Sequence, residues 1–195
     1  MKLSKRGEYA LRSLINLGIA AEVGRNLVRV SELAASEQLP IKFLEQILQL
    51  LKEAGLVASG RGKFGGYRLA KAAREITIGE VIRLIDGPLA PIGCVSQSAY
   101  EKCSCPDEAH CGLRMLMLDV RNAIAGILDR YTLADVVEVT LRKLRRDGLP
   151  LPFQLPDPIQ SAAATALARR VSPARKGRLD ETEGVLHQLL GDYTI

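Results

Sequence analysis

The first 40 residues show apolar positions at helical spacing in two segments. Residues 4–21 are predicted to form an amphipathic helix whose apolar face holds Leu11, Leu14, Ile15 and Ile19. A short β-branched piece follows at residues 28–30. Ser31 is then predicted to cap a second, shorter helix over residues 31–38.

A third helix is predicted to begin at Pro40 and to end at Gly55. Its apolar residues follow the i, i+3, i+4, i+7 pattern: Leu44, Ile47, Leu48 and Leu51. The opposite face is polar and is predicted to meet solvent or a ligand through Lys42, Glu45, Gln46 and Gln49. Two short helices joined by a tight connection, the second with a polar outer face, are typical of a helix-turn-helix.

A basic, glycine-rich hairpin is predicted directly after the third helix. Its strands are residues 56–59 and 67–70, on either side of the motif GRGKFGG. Glycines let the backbone turn and approach closely, while Arg61, Lys63 and Arg68 offer contacts to phosphates or to the minor groove. The motif lacks the G-x-x-x-x-G-K-[ST] order and lies between strands, which disfavours a nucleotide phosphate loop. The hairpin is therefore interpreted as the wing of a winged helix.

Two capping signals mark helices in the second half of the chain. Thr77-x-x-Glu80 is predicted to open a helix that stops at Gly87-Pro88, and Thr132-x-x-Asp135 to open one that ends in LRKLRRDG. Between them lies a loop of roughly 25 residues, a length usual for functional or disordered segments. A long helix over residues 111–130 follows the loop and is apolar on more than one side. We expect it to pack on its own domain and on a second subunit, with a single-chain helical bundle as the alternative.

These elements predict a mainly α fold, a winged helix-turn-helix DNA-binding domain with a long dimerisation helix. Its parts are a DNA-binding domain at residues 1–86, a cysteine-containing sensor loop at 87–110 and dimerisation helices at 111–147. Residues 148–195 begin with the proline-containing segment LPLPFQLPDP, which indicates an extended linker. Two modest helical patches follow in this C-terminal extension, at residues 161–170 and 180–190.

The positive charge is concentrated at the N-terminal end. Residues 1–75 carry 13 Lys/Arg against 7 Asp/Glu, whereas the remaining 120 carry 14 against 15. Such a bias favours contact with a polyanion, although a soluble basic surface would give the same count. No apolar run approaches the ~20 residues that span a bilayer, and the basic N-terminus lacks a signal-peptide pattern. We expect a cytoplasmic protein without a membrane partner.

All four cysteines fall within 18 residues: Cys94, Cys103, Cys105 and Cys111. A structural disulfide is disfavoured in the cytoplasm, which leaves metal, cluster or thiol-redox chemistry. Their spacings of x8, x1 and x5 do not match the paired Cys-x2–4-Cys motifs of zinc ribbons. Thiolates on a loop can surround an iron–sulfur cluster, and His110 is the one histidine beside them.

The chain resembles the IscR/NsrR-type (Rrf-two) family of bacterial winged-helix transcriptional regulators. The resemblance runs from Met1 to about Arg146, through KLSKRGEYALRSL, FLEQILQLLKEAGLVASGRGKFGGYRLA, ITIGEVIRLIDG and CGLRMLMLDVRNAI…YTLADV. It implies a homodimer that binds palindromic promoter sites in double-stranded DNA. The implied DNA contacts are Lys42, Glu45 and Gln46 in the major groove, Ser59, Arg61, Gly65 and Gly66 in the wing, and Lys5 and Tyr9 at phosphates. Tyr9 could equally be an aromatic residue packed on the first helix.

The resemblance also implies an iron–sulfur cluster held by three loop cysteines, of either the 2Fe-2S or the 4Fe-4S type. Cys105-x5-Cys111 matches the family's last pair, and Cys94 matches the first ligand across a longer gap. Cys103 is extra: it could replace Cys105, resolve an oxidised thiol or be idle. The family's acidic fourth ligand would be Glu8 of the partner subunit, with an exposed helix carboxylate as the alternative. The histidine that other members place three residues after the last cysteine is absent here, because that position is Arg114.

Three other functions compete with this hypothesis. A winged-helix regulator without a cluster could switch through oxidation of Cys103 or Cys105. A cysteine-dependent enzyme is disfavoured, because no His/Asp partner pattern surrounds the thiols. A winged-helix module that binds only proteins is disfavoured by the basic first 75 residues.

Overall fold

The computed structural model describes residues 3–62 and 65–153. Six helices and one hairpin follow in the order α1 (Lys5–Glu22), α2 (Val30–Glu37), α3 (Ile41–Glu53), β1 (Val57–Gly60), β2 (Gly66–Leu69), α4 (Ile78–Asp86), α5 (Gly112–Arg130) and α6 (Leu133–Arg146). Short 3-10 turns occupy Ala73–Glu75 and Gly93–Val95. The predicted mainly α, winged architecture is confirmed. The two helical patches predicted for residues 161–170 and 180–190 lie outside the described residues.

Helix α1 lies at the centre of the packing, against α3, α4, α6 and β2. Two of its glycines make the close approach to neighbouring helices feasible. A Cβ at Gly7 would lie 2.6 Å from Oδ2 of Asp86 on α4, and one at Gly18 would lie 2.6 Å from Cγ2 of Val137 on α6. Ser4 caps α1 by accepting the Gly7 N–H at 3.0 Å. The helix predicted over residues 4–21 is thus confirmed.

The predicted N-cap of α2 is wrong by two residues. The cap is Arg29, not Ser31, and the helix begins at Val30. Its first turn is closed from within, because the Glu32 carboxylate accepts the Arg29 N–H at 2.9 Å and the guanidinium of Arg25 at 3.1 Å. At the other end Gln38 adopts a left-handed conformation (φ 54°), which turns the chain into α3. Pro40 precedes α3 as predicted.

The wing is a hairpin reinforced by one further residue. Strands β1 and β2 pair antiparallel, with Gly60 opposite Gly66, one residue away from the predicted strand limits. Val28 joins the hairpin through two backbone hydrogen bonds with Tyr67, of 3.0 and 2.8 Å. A Cβ at Gly66 would lie 2.5 Å from the Val28 carbonyl oxygen, so this junction requires glycine. The β-branched piece predicted at residues 28–30 is therefore a single bridging residue followed by the start of α2.

The caps predicted for α4 and α6 are present, although only one of them is a complete capping box. Thr77 accepts the Glu80 N–H at 3.1 Å, but the Glu80 carboxylate pairs with Lys71 and does not return to the cap. At α6 the Thr132 N–H donates to Asp135 at 2.7 Å, so the capping box is complete.

A bidentate ion pair joins helices α4 and α5. The guanidinium of Arg83 on α4 lies 2.6 and 2.7 Å from the two carboxylate oxygens of Asp129, near the end of α5.

Candidate nucleic-acid interface and cysteine pocket

The polar face of α3 lines an open groove of about 700 Å³. Leu44, Ile47, Leu48 and Leu51 are completely buried on the opposite face, so the helix presents its polar side outward. Lys42, Glu45 and Gln46 are exposed there, and the remaining lining includes Arg6, Gln49 and Tyr67. The structure therefore brings the three predicted α3 residues together in one concave surface between α1, α3 and the wing.

Tyr9 lies in a stack of aromatic and cationic groups beside this groove. Its ring meets Phe43 of α3 edge-on at 5.8 Å between centroids. The Lys5 ammonium lies 5.9 Å and the Arg12 guanidinium 5.6 Å from the Tyr9 ring centre. Lys5 also pairs with Glu8 at 2.7 Å. These contacts favour the interpretation of Tyr9 as a packed aromatic residue. Its ring helps to hold α1 against α3.

The described wing residues divide into two kinds. Ser59 and Arg61 are exposed and available to a ligand. Gly65 and Gly66 are explained by packing alone, since a Cβ at Gly65 would lie 2.6 Å from the Gly60 carbonyl oxygen. Lys63, at the tip of the motif, lies outside the described residues.

Arg6 is a groove residue that the sequence patterns did not identify. It belongs to α1, where the sequence had indicated Lys5, Glu8 and Tyr9, and the packing of α1 against α3 makes it line the same groove as Lys42. The basic KLSKRGEY segment was the available signal. Gln49 lies on the predicted polar face of α3 and also lines the groove.

A second cavity, of about 280 Å³, collects all four cysteines. Cys94 is buried in the 3-10 turn Gly93–Val95, and Cys111 is the N-cap residue of α5. Cys103 and Cys105 come from the segment between these two elements. Within the cavity the Cys103 thiol is near enough to interact with Cys94 and with Cys105, and Cys105 also interacts with Cys111.

These contacts perturb the acidity of the thiols. Burial, followed by the neighbouring Cys103, raises the pKa of Cys94. Hydrogen bonds with Cys103 and Cys111 raise the pKa of Cys105 to about 11. Cys105 is therefore protonated at neutral pH in the structure as it stands. A ligand that binds thiolate would have to displace that proton.

A polar network borders the cysteine cavity. Glu108 accepts the Tyr100 hydroxyl at 2.7 Å, a hydrogen bond that raises the pKa of Tyr100, and it pairs with the Arg114 Nε at 3.1 Å. Arg114 lines the cavity, and its positive charge favours the thiolate form of Cys94. The position three residues after Cys111 thus holds a cation engaged with a carboxylate.

The four thiols of the cavity are the donor type that iron–sulfur clusters use, so the residues present fit such a group. In residues 3–62 and 65–153 no group of three His, Cys, Asp or Glu side chains is arranged to hold a single metal ion. His110 is not among the cavity residues; its ring is 85% exposed and pairs with Asp107 at 2.7 Å. Glu8 of the same chain does not line the cavity either; it contacts Lys5 and Arg12 on α1.

Helix α5 has one covered side and one open side. Within the described chain it packs against α4 and the 3-10 turn that holds Cys94. Its outward side exposes five large apolar residues: Leu113, Met115, Leu116, Val120 and Ile127. The described helices include none that is both long and apolar enough to cross a bilayer.

Comparison with known proteins agrees with this geometry. The family model Rrf2, described as an iron-dependent transcriptional regulator, matches residues 3–139. An rrf2-like HTH-type regulator of Rhodobacter capsulatus is 41% identical over 139 residues, which are 69% of this chain and 91% of the relative. The solved structure of CymR, the global cysteine regulator of Bacillus subtilis, has a TM-score of 0.60 at 32% identity and covers 71% of this chain and 97% of CymR.

An IscR structure from T. potens is also similar, with a TM-score of 0.56 at 28% identity over 72% of this chain and 88% of that one. The resemblance stated from the sequence motifs is therefore confirmed. With its helix-turn-helix, its wing and its match over residues 3–139, the chain belongs to the Rrf2 family of transcriptional regulators.

Proposed function

We propose that this regulator binds double-stranded DNA at palindromic promoter sites as a homodimer, with an affinity set by an iron–sulfur cluster in the Cys94–Cys111 loop. The observation that carries the proposal is the gathering of four thiols in one cavity at the start of α5. In this arrangement residues 1–86 bind DNA, 87–110 sense and 111–147 dimerise. Chemistry at the thiols would then act directly on the helix that meets the second subunit.

The groove beside α3 is the proposed major-groove surface. Lys42, Glu45 and Gln46 are exposed on a helix whose other side is fully buried, so their positions are fixed before DNA arrives. Ser59 and Arg61 are the proposed contacts of the wing with the minor groove, and Gly65 and Gly66 shape the hairpin that would present them. Lys5 and Tyr9 are the proposed phosphate contacts, in which Tyr9 acts from a packed position.

The open side of α5 is the proposed dimer interface. Leu113, Leu116, Val120 and Ile127 fall on one helical stripe and are 37–58% exposed in the single chain. Exposure of a contiguous apolar stripe of this kind marks an interaction surface. A symmetric pair of α5 helices would cover it and would set the separation of the two α3 helices.

The proposed cluster ligands are Cys94, Cys105 and Cys111, with Cys103 as the alternate to Cys105. The fourth place falls either to Glu8 of the partner subunit or to the loop thiol that remains. Thiolates are the ligands that iron–sulfur clusters prefer, and a carboxylate is a weaker one that would favour lability. When bound, the cluster would supply a redox-sensitive link between the turn that holds Cys94, the loop and the start of α5. Arg114 offsets part of the thiolate charge, and Glu108 holds Arg114 in place.

Thiol oxidation without a cluster is the second candidate. It is favoured by the gathering of four free thiols in one cavity, where Cys103 interacts with both Cys94 and Cys105. One similar solved structure, that of Staphylococcus aureus CymR at 31% identity and a TM-score of 0.56, is of an oxidized form, which is in keeping with oxidation chemistry in this fold. Mass spectrometry after peroxide treatment of the iron-free protein would detect a disulfide between two of these thiols.

Anaerobic purification followed by absorbance spectroscopy and by iron and sulfide counting tests the cluster. We expect a coloured protein whose operator affinity changes when the cluster is removed. A colourless, iron-free protein that also fails to take up iron and sulfide, and that binds DNA identically with and without reductant, would exclude it.

The salt dependence of operator binding tests the DNA surface. Lys42→Ala should reduce the slope of log K against log salt by about 1, the value for one lost phosphate contact, or weaken binding at specific base pairs if Lys42 contacts bases. Arg142→Ala on α6 removes the same charge outside the groove and is the matched control. Equal effects of the two variants would show that net charge, and not the groove, determines binding.

A further inference from the structure

We infer that Cys103 is the fourth ligand of the cluster, so that a single subunit supplies all four thiolates and Glu8 of the partner subunit is not needed. The inference rests on the proposed cluster and concerns only its ligand set. It gives a role to Cys103, the cysteine that this chain has in addition to the three of the family pattern.

The place of Cys103 in the cavity is the first argument. Its thiol lines the same 280 Å³ cavity as Cys94, Cys105 and Cys111. It also lies close enough to Cys94 and to Cys105 to perturb their acidity. A cluster held in this cavity by Cys94, Cys105 and Cys111 would therefore meet the Cys103 thiol as well.

The partners of the other candidate ligands are the second argument. Glu8 pairs with Lys5 at 2.7 Å and lies 3.5 Å from Arg12, so it would have to leave two cations to reach iron. His110 pairs with Asp107 away from the cavity. Arg114 is a cation and has no lone pair to offer.

Glu101 is the one carboxylate that lines the cavity, and it is the principal competitor. Its side chain packs against Gly93, where an added Cβ would meet the Glu101 Cβ at 2.7 Å. Thiolate outranks carboxylate as a ligand for cluster iron, and Cys103 lies two residues along the same segment. We therefore assign the bond to iron to Cys103, and Glu101 lines the cavity without binding iron.

Cysteine-to-serine variants, reconstituted anaerobically with iron and sulfide, test the assignment. Cys103→Ser should lose its iron or shift the electron paramagnetic resonance signal of the reduced cluster, and we expect the same of Cys94→Ser and Cys111→Ser. Glu8→Gln, Glu101→Gln and the neighbouring control Ser104→Ala should keep the wild-type iron content and signal. An unchanged signal in Cys103→Ser, or a change in Glu8→Gln or Glu101→Gln as large as in Cys94→Ser, would overturn it.

Alkylation of the loaded wild-type protein provides a measurement that needs no variant. Under anaerobic conditions Cys103 and the exposed Cys105 should both resist alkylation while the cluster is bound, and both should react after its removal. Protection of Cys105 with free reaction of Cys103 would exclude Cys103 as a ligand while leaving the cluster in place. A wild-type protein that takes up neither iron nor sulfide would instead overturn the proposed function itself.

Discussion

The DNA-binding unit and the cysteine pocket are built in opposite ways. Helix α3 is anchored by four leucine and isoleucine side chains without exposed surface, and the wing by a backbone ladder. The segment from residue 96 to Cys111 has no helix or strand and is held by thiol contacts and the Tyr100–Glu108–Arg114 network. Burial of apolar side chains is worth several times more than exposed polar contacts.

This difference shows which region can respond to a signal. The proposed DNA-binding surface is formed in the free chain, so a signal has to act on the position of this surface and not on its internal packing. The cysteine segment can change its contacts at low energetic cost, as sensing elements drawn from the less stable parts of a fold must do. Its location at the N-terminus of α5 would transmit that change to the proposed dimer interface.

The largest expected effect lies in the anchored region. Leu48→Ala removes a completely buried side chain beneath the α3 surface and should lower the free energy of unfolding by about 2–5 kcal/mol. Urea denaturation at fixed protein concentration measures it. Ile41→Ala on the same helix removes a side chain that is 48% exposed and serves as the control. Similar losses for both variants would contradict the contrast between the two regions.

The wing should show the next largest effect. Gly66→Ala would place a Cβ 2.5 Å from the Val28 carbonyl oxygen, and the backbone junction must then open. We expect a loss of about 1–3 kcal/mol in unfolding free energy, together with weaker operator binding. Gly112→Ala, where an added methyl meets nothing within 4 Å, is the matched control and should change stability by less than about 0.5 kcal/mol. If Gly66→Ala unfolds and binds its operator like the wild type, the packing explanation for this glycine is refuted.

The cysteine segment should respond locally instead of globally. Glu108→Gln removes the ion pair with Arg114 and weakens the contact with Tyr100, at a cost below about 1 kcal/mol in global stability. Amide hydrogen exchange of residues 100–111 should accelerate by roughly five-fold, the equivalent of about 1 kcal/mol. Glu138→Gln breaks an exposed pair on α6 and should leave that exchange unchanged. Unaltered exchange in Glu108→Gln would show that other contacts hold the segment.

The same difference explains how far the sequence could predict the molecule. Periodicity located α3 because a buried apolar face imposes a repeat, and the glycines of the wing marked its turn. The misplaced cap of α2 arose because Glu32 can cap from inside the helix, an option that competes with a serine in the flanking position. A helix that begins after Arg29 and one that begins after Ser31 differ by only a few hydrogen bonds. Residue preferences do not distinguish between two starts that are so similar in energy.

Cysteine chemistry was predictable from residue type, but the order of the thiol contacts was not. Which thiol meets which depends on the path of a segment without regular structure, and spacing alone leaves that path open. The engagement of Arg114 with Glu108 is likewise a contact that no periodic pattern encodes. Arg6 was missed for a related reason, since its place in the groove results from the packing of α1 against α3.

The smallest expected effect lies at the joint between the two regions, where Arg83 of α4 pairs with Asp129 of α5. The hydrogen bond with Arg83 lowers the pKa of Asp129 below its ordinary value of 3.8. A depressed carboxylate pKa stabilises the fold above the ordinary value, and this contribution is lost as the pH falls toward the folded-state pKa. Both side chains are more than a third exposed, so Asp129→Asn should cost only about 0.2–1 kcal/mol at pH 7.

The gap in unfolding free energy between wild type and Asp129→Asn should therefore begin to narrow below about pH 4 and shrink further as the pH falls toward the folded-state pKa of Asp129. Asp119→Asn, at an exposed carboxylate on the same helix, should show no comparable gap and controls for the change in net charge. Denaturation series from pH 7 to pH 3 measure both variants. A gap as large at pH 3 as at pH 7 would mean that the asparagine disturbs the packing of α4 on α5, close to Gly79, and that this packing, and not the charge, determines the effect.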